Sequence, residues 1–183
     1  MKISDENYQR LKFIEKNKAF LGKEFLTWLW YKSETRNHKF TLDGLGSFIL
    51  YLDDRLKLGG SSGYVREHSL KGGTPAYSLE SKSALTSGKL LLEAKMILQC
   101  EEKQWSFLFV GESFELRNLK LPNSHESDLH AHITSRIRNT QFIYSVLEAL
   151  LKEFFQMRQE KTFSDEIRNF TSWTRTESIS GLA

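Results

Sequence analysis

Residues of the kind that do chemistry are few in this chain. His125, His130 and His132 stand near Glu126 and Asp128, a donor set of the type that holds zinc. On a helix, though, histidines two apart point away from each other. The spacing of three or four that brings two imidazoles to one ion is missing. A solvated helix start accounts for the cluster, and no metal is expected. Asp53-Asp54 is a carboxylate pair, but neighbours in a tight turn are more simply turn residues. The one cysteine, Cys100, falls at an apolar strand position with no histidine beside it. It forms neither an internal disulfide nor a zinc site by itself, and it reads as core. Gly59-Gly60 and Gly72-Gly73 lack the Gly-Lys-Ser/Thr that completes a phosphate loop. No enzyme signature emerges, so neither a catalytic residue nor a cofactor is expected.

What remains is charge. The formal net charge is +3. Residues 1–60 carry eleven Lys/Arg against eight Asp/Glu, residues 61–120 eight against seven, and residues 121–183 seven against eight. The basic drift toward the N-terminal third permits a nucleic-acid face without demanding one. Arg55 and Lys57 share a strand face, and so roughly do Lys89, Glu93 and Lys95. Such a face can follow a phosphate backbone by positioning contacts, without reading bases. A solvated outer face of mixed charge is the plain alternative.

The elements that would position these residues follow from apolar spacing. Phe20 to Glu34 holds two of the four tryptophans. Leu21, Phe25, Trp28 and Leu29 share one helical face, widened by Leu26, Trp30 and Tyr31. Lys23, Thr27 and Glu34 are left for the wet side, and Gly22 fits a helix boundary. This is a core helix. If one ring stacks on a base instead, Trp30, near Lys32, is the one expected to be exposed. Residues 5–19 suit a short basic helix or arm.

Strand signals follow at 39–42, 48–52, 55–58 and 64–70, with Asp53-Asp54 turning the chain and Gly-rich loops between. Ser78 caps a short helix that ends at Gly88. Lys89 to Cys100 is the best strand, with Leu90, Leu92, Ala94, Met96, Leu98 and Cys100 on one face. A hairpin at Glu101-Glu102-Lys103-Gln104 leads to Trp105–Val110, and a last strand runs to Leu121. The turns are too short for crossover helices, so the sheet is antiparallel.

A long helix runs from about Asp128 to Met157. One stripe is Leu129, Ile133, Ile137, Thr140, Tyr144, Leu147, Leu151 and Phe154. From Phe142 a second face turns apolar, with Ile143, Val146, Leu150 and Phe155. A helix apolar most of the way round is covered on both sides. Either the C-terminal segment around Ile167, Phe170 and Trp173 covers the second face, or another subunit does. No apolar run reaches membrane-span length, and Met1 to Glu6 carries no signal-peptide pattern.

The order of several phrases resembles the recombination-associated protein RdgC family. These are Gly22-Lys23-Glu24-Phe25-Leu26-Thr27-Trp28-Leu29-Trp30-Tyr31-Lys32-Ser33-Glu34, then Leu52-Asp53-Asp54-Arg55-Leu56-Lys57-Leu58-Gly59-Gly60, then Ser87-Gly88-Lys89. Trp105-Ser106-Phe107 and Leu116-Arg117-Asn118-Leu119-Lys120-Leu121-Pro122 complete the set, and the match spans roughly Leu21 to Trp173. The resemblance implies a non-enzymatic protein that binds double-stranded DNA without sequence preference. It also implies ring-shaped dimers and a restraint on the RecA recombinase. The family carries a long portion before the first phrase, where this chain has about twenty residues. Either the chain is a truncated relative, or ring closure is expected to need oligomerisation or another polypeptide.

The expectation is thus an α+β domain over residues 20–174, with an antiparallel sheet of five or six strands. An aromatic N-terminal helix and a long C-terminal helix pack on it. Residues 1–19 form a basic arm or helix, 128–174 the helical C-terminal part, and 175–183 a flexible tail. Lys23, Lys32, Arg55, Lys57, Lys89, Lys95, Arg117 and Lys120 are the expected DNA contacts. Phe142, Val146, Leu150 and Phe155 are the expected oligomer or partner interface. A cytoplasmic, nucleoid-associated site of action follows from this reading. The rival reading is a protein-interaction module for a recombinase, phage or host factor, working through the apolar face of the long helix.

Overall fold

A computed structural model describes the backbone of residues 5–60, 67–123 and 128–175, and the side chains from Lys18 onward. The fold is α+β, with six strands in one antiparallel sheet. The chain runs α1 (Asp5–Thr35), β1 (Lys39–Leu42), β2 (Gly46–Gly59) and β3 (Glu67–Lys71). A 3-10 turn (Pro75–Tyr77) leads into α2 (Leu79–Thr86). Then come β4 (Leu90–Cys100), β5 (Lys103–Val110), β6 (Glu115–Lys120), α3 (Leu129–Gln159) and α4 (Phe163–Arg175). The sheet order is β1-β2-β4-β5-β6, and β3 pairs with β2 beyond the end of β1. His125 and Glu126, the glycine-serine loop from Ser61, Tyr64 to Arg66 and the tail beyond Arg175 lie outside the described residues.

The later part of helix α1 runs through the core. Phe25 to Tyr31 are seven consecutive residues at 6% exposure or less. A helix buried on every side carries apolar residues on every side, which is why the aromatic density here exceeds that of an ordinary stripe. Trp28 and Tyr31 therefore face helices, while the sheet takes another flank. Thr27, expected on the wet side, is buried because its hydroxyl ties α1 to the sheet. It donates to the Lys23 carbonyl (2.8 Å) and accepts from the Leu91 amide (2.9 Å). Trp30 is fully buried and crosses Trp173 edge to face at 5.4 Å. It has no ring face to offer a base.

Two expected boundaries dissolve. Residues 5–19 are helical, one of the two forms expected, but they are not a separate element, because α1 is continuous through Gly22. Glycine is needed there for contact rather than for a break. A Cβ at Gly22 would stand 1.8 Å from the Gly111 carbonyl oxygen. Nor does Asp53-Asp54 turn the chain. Strand β2 runs through it, with a bulge between Leu52 and Leu56 that sets Asp53, Asp54 and Arg55 against Lys95 alone. A second register shift, where Leu58 meets Leu91, changes the phase of β4. Leu91 faces the core with Ala94, Met96 and Leu98, while Leu90 and Leu92, expected inside, are half-buried. Bulges re-aim side chains in this way.

Other elements form as their residues dictate. Ser78 Oγ accepts from the Ser81 amide at 3.2 Å to start α2, and Gly88 follows it at φ 84°. Asp128 accepts from the Ala131 amide at 2.9 Å to start α3. Trp105 Nε1 donates to the Asn139 carbonyl at 3.0 Å and pins α3 to β5. The helices cover one face of the sheet. The other face carries the charged residues of β2, β4 and β6, while Lys103 of β5 shares the face of Trp105 at the sheet's end.

The core face of helix α3 cuts across its two expected faces. Ile143, Val146 and Leu150 of the second face are inside, and so are Leu147 and Phe154 of the first, with Phe154 against Phe25 and Trp28 at 5.6 and 5.5 Å. The sheet and α1 cover this core face. Helix α4 does not. It folds back over α1 and α2, with Phe170 and Trp173 on Tyr31 at 5.5 and 5.3 Å. The Thr86 hydroxyl donates to the Thr174 carbonyl at 3.2 Å.

Candidate functional site

The open sheet face is a mosaic of ion pairs rather than a cationic field. Arg55 meets Glu93 at 3.5 Å, Lys57 meets Glu67 at 2.9 Å, and Arg117 meets Glu115 at 2.6 Å. Lys95 sits in the β2 bulge between Asp53 (2.7 Å) and Asp54 (3.1 Å). Hydrogen bonds to these carboxylates hold the Lys57 and Lys95 ammoniums above the usual lysine range. Off this face, Lys23 pairs with Glu112 and Lys32 with Glu166, both at 2.5 Å. Lys89 is buried and donates to His68 Nε2 at 2.6 Å.

Of the eight expected phosphate contacts, then, only Lys120 is exposed and outside any ion pair or side-chain hydrogen bond among the described residues. A phosphate approaching the other positions competes with carboxylates already in place, or finds Lys89 inside. Exposed cations outside ion pairs, among the described residues, include Lys103, Lys120, Arg136 and Arg138.

The expected interface residues divide. Val146 and Leu150 are fully buried in this chain's own core and present no surface. Phe142 is half-buried against Trp105, ring centres 5.0 Å apart. Phe155 is exposed. What α3 does leave in solvent is the other stripe: Leu129 at 72%, Ile133 at 47%, Ile137 at 53% and Tyr144 at 54%. With Thr140 these fall within an arc of about 80°, centred about 100° round the helix from the buried face. The row runs about 22 Å from Leu129 to Tyr144, and about 39 Å if Phe155 is included. Its area is on the order of 400 Å², the size at which exposed apolar patches on monomers are often functional. Between Asp128 and Glu148 the helix has no carboxylate. It has Arg136, Arg138, His130 and His132. The two described histidines of the supposed metal cluster thus belong to a basic, apolar helix surface. No group of three metal-ligating side chains occurs among the described residues.

A polar network that no local spacing announces joins the end of α1 to β1 and the 3-10 turn. The Ser33 hydroxyl, fully buried, donates to the Leu50 carbonyl at 2.7 Å. It therefore accepts from His38 Nδ1 at 2.9 Å. His38 Nε2 lies 2.8 Å from the Tyr77 hydroxyl, which also bonds the Glu34 carboxyl. Tyr77 thus has one proton for two acceptors. Burial lowers the His38 pKa, which favours the neutral ring. Burial pushes Glu34 up to about 7 and Lys82 down to about 8, although each attracts the other. The Lys82 ammonium lies 3.1 Å from the Trp173 ring centre, a cation–π contact that holds α4. Ser33 is no nucleophile here, because its proton goes to a carbonyl and the imidazole donates to it. The network braces the helix end. His38 and Tyr77 are 39 residues apart, so sequence spacing gave no signal.

Compared with known proteins, the chain matches no family model and no curated protein. No helix among the described residues is long and apolar enough to cross a membrane.

Proposed function

We propose that this chain is a protein-docking module, and that the exposed stripe of α3 binds an apolar surface rimmed by carboxylates on another protein. One observation carries the reading. Four large apolar side chains stand in solvent in a single row, on a helix segment whose only formal charges are Arg136 and Arg138. Apolar burial supplies the attraction, and Arg136, which borders the stripe, favours an acidic rim. The test is a photo-crosslinking amino acid placed at Ile133 or Ile137 in the source cells. An acidic partner trapped from both positions, not from Asn118 on β6, and lost on Arg136→Glu/Arg138→Glu, is the expected result. Equal trapping at Asn118, or no product from either stripe position, would refute it. A product of twice the chain's mass would replace the foreign partner by a second copy.

A second reading is sequence-independent DNA binding tied to recombination, as the RdgC resemblance implies. The ordered phrases favour it, and so do the cations outside ion pairs. Its contacts would be Lys103, Lys120, Arg136 and Arg138 rather than the paired sheet residues. Fluorescence anisotropy on a duplex of arbitrary sequence tests this. Each neutralised phosphate adds about 0.9 to the slope of log affinity against log salt. Lys103→Glu/Lys120→Glu should flatten that slope while Lys57→Glu leaves it unchanged. No binding at low salt would remove this reading.

A further inference from the structure

Beneath α4 is a cleft of about 120 Å³. Its walls come from three helices and one strand: Trp28 and Tyr31 of α1, Leu90 of β4, Phe154 and Met157 of α3, and Ile167 and Phe170 of α4. Every one of these presents an apolar body to the space. The charged groups beside it are engaged with each other: Glu24 with Arg158, and Lys32 with Glu166 at 2.5 Å. The Arg158 guanidinium is also laid over the Phe154 and Phe163 rings, at 5.5 and 5.6 Å. Among the described residues the charged groups at the cleft are thus paired with one another, and the buried Trp28 Nε1 is a wall donor left without a hydrogen-bond partner.

We infer that this cleft is a binding site for a small, neutral, apolar molecule of about the size of one aromatic ring. Volume and lining set the class. An apolar cavity of about 150 Å³ lined by aliphatic and aromatic side chains stays dry and takes up benzene. The cleft here is slightly smaller and mainly apolar, but it opens to solvent on one side, and Glu24, Thr27, Arg158 and Glu166 stand among its lining residues. Helix α4 closes one side of it. That helix is held to the rest of the chain by side-chain contacts that include Lys32, Tyr31 and Lys82, and the cleft is open to solvent, so a ligand reaches it without opening the sheet. The site is separate from the α3 stripe. It stands or falls independently of the docking function.

The chain has three methionines, of which Met157 lines the cleft and Met96 is buried in the sheet core. This gives the experiment its internal control. Benzene and indole are titrated into protein carrying ¹³C-methyl methionine, and the methyl signals are followed. A saturable shift of the Met157 methyl with a still Met96 methyl is the expected result. At about ten times the dissociation constant, the melting temperature should rise by about 3–6 °C. Benzoate, which brings a charge the cleft cannot pair, should do neither. Leu90→Phe, which adds bulk at the cleft wall, should abolish the benzene-dependent rise in melting temperature. A Met157 signal that does not move up to the solubility limit of benzene would overturn the inference. So would equal shifts at Met96 and Met157, or the same response to benzoate.

Discussion

Replacing Gly22 by alanine sets two well-measured effects against each other, and the structure decides the sign. Gly22 lies inside α1, where alanine is favoured over glycine by about 1 kcal/mol. The added Cβ, however, would stand 1.8 Å from the Gly111 carbonyl oxygen, 2.9 Å from its carbonyl carbon and 2.7 Å from Phe114 Cε2. The Phe114 ring edge can give way. The Gly111 backbone cannot easily do so, because its amide is bonded to the Leu92 carbonyl at 2.8 Å. Helix α1 must therefore lift by more than an ångström. Phe25, one turn on, packs on Phe109 and Phe114 at 6.0 and 6.2 Å and would lose part of that contact. Overpacking costs about 1–3 kcal/mol, occasionally more, and full burial of one phenylalanine is worth about 1.5–3 kcal/mol. Against the helix gain, the net expectation is a loss of about 2–4 kcal/mol. At a urea slope of about 2 kcal/mol/M, the midpoint falls by about 1–2 M. Gly60→Ala, where a Cβ meets its nearest atoms at 3.5 Å, serves as the tolerant control. A Gly22→Ala midpoint equal to or above the parent's, with an unchanged slope, would refute the backbone-contact argument.

Thr27→Val should cost about 1–3 kcal/mol, because it leaves the buried Leu91 amide without an acceptor, while Thr27→Ser should cost much less. Chemical denaturation of the two variants checks this, and equal losses would point to packing instead. Glu34→Gln tests the buried network through pH. The folded carboxyl is raised to about 7 from an ordinary 4.5, so the folded state holds the extra proton between those values. The parent's stability is then full below about pH 4.5 and falls as pH rises through 7. After allowance for partial exposure the fall is about 1–3 kcal/mol, and the Glu34→Gln variant should lack it. Parallel stability curves from pH 4.5 to 7.5 would remove the carboxyl from this account. Trp105→Phe should lower stability by about 1–2 kcal/mol through loss of the indole bond to the Asn139 carbonyl. A drop in amide-exchange protection in the middle of α3 would locate the effect.

Much of the local architecture was legible from residue types alone. Period-two and period-3.6 spacing gave the antiparallel sheet and the two long helices. Ser78 and Gly88 marked the ends of α2, Asp128 marked the start of α3, and Glu101-Glu102 marked the hairpin. Each of these depends on neighbours within a few positions, and periodicity and capping are local physics. The candidate site was much less legible. Leu129, Ile133, Ile137 and Tyr144 form as good a stripe as Ile143, Val146, Leu150 and Phe154, and spacing cannot say which one meets the sheet. The choice was made by where β5 and α1 present Trp105, Phe25 and Trp28 to the helix. The lysines and arginines likewise looked free until the fold brought carboxylates to them. Some of these lie close in sequence, such as Glu115 to Arg117. Others are remote, such as Glu93 to Arg55 and Glu166 to Lys32. Charge type is written in the chain, whereas charge pairing is set by which elements are neighbours. Gly22 and Asp53-Asp54 teach the same lesson about the backbone. Residues that commonly break elements were kept inside them by contacts with Gly111 and Lys95, 89 and 42 positions away as counted from Gly22 and Asp53. Residue order dictates what each segment prefers to be. Packing in three dimensions settles which surfaces are left over, because exposure is a relation between segments and no single segment contains it.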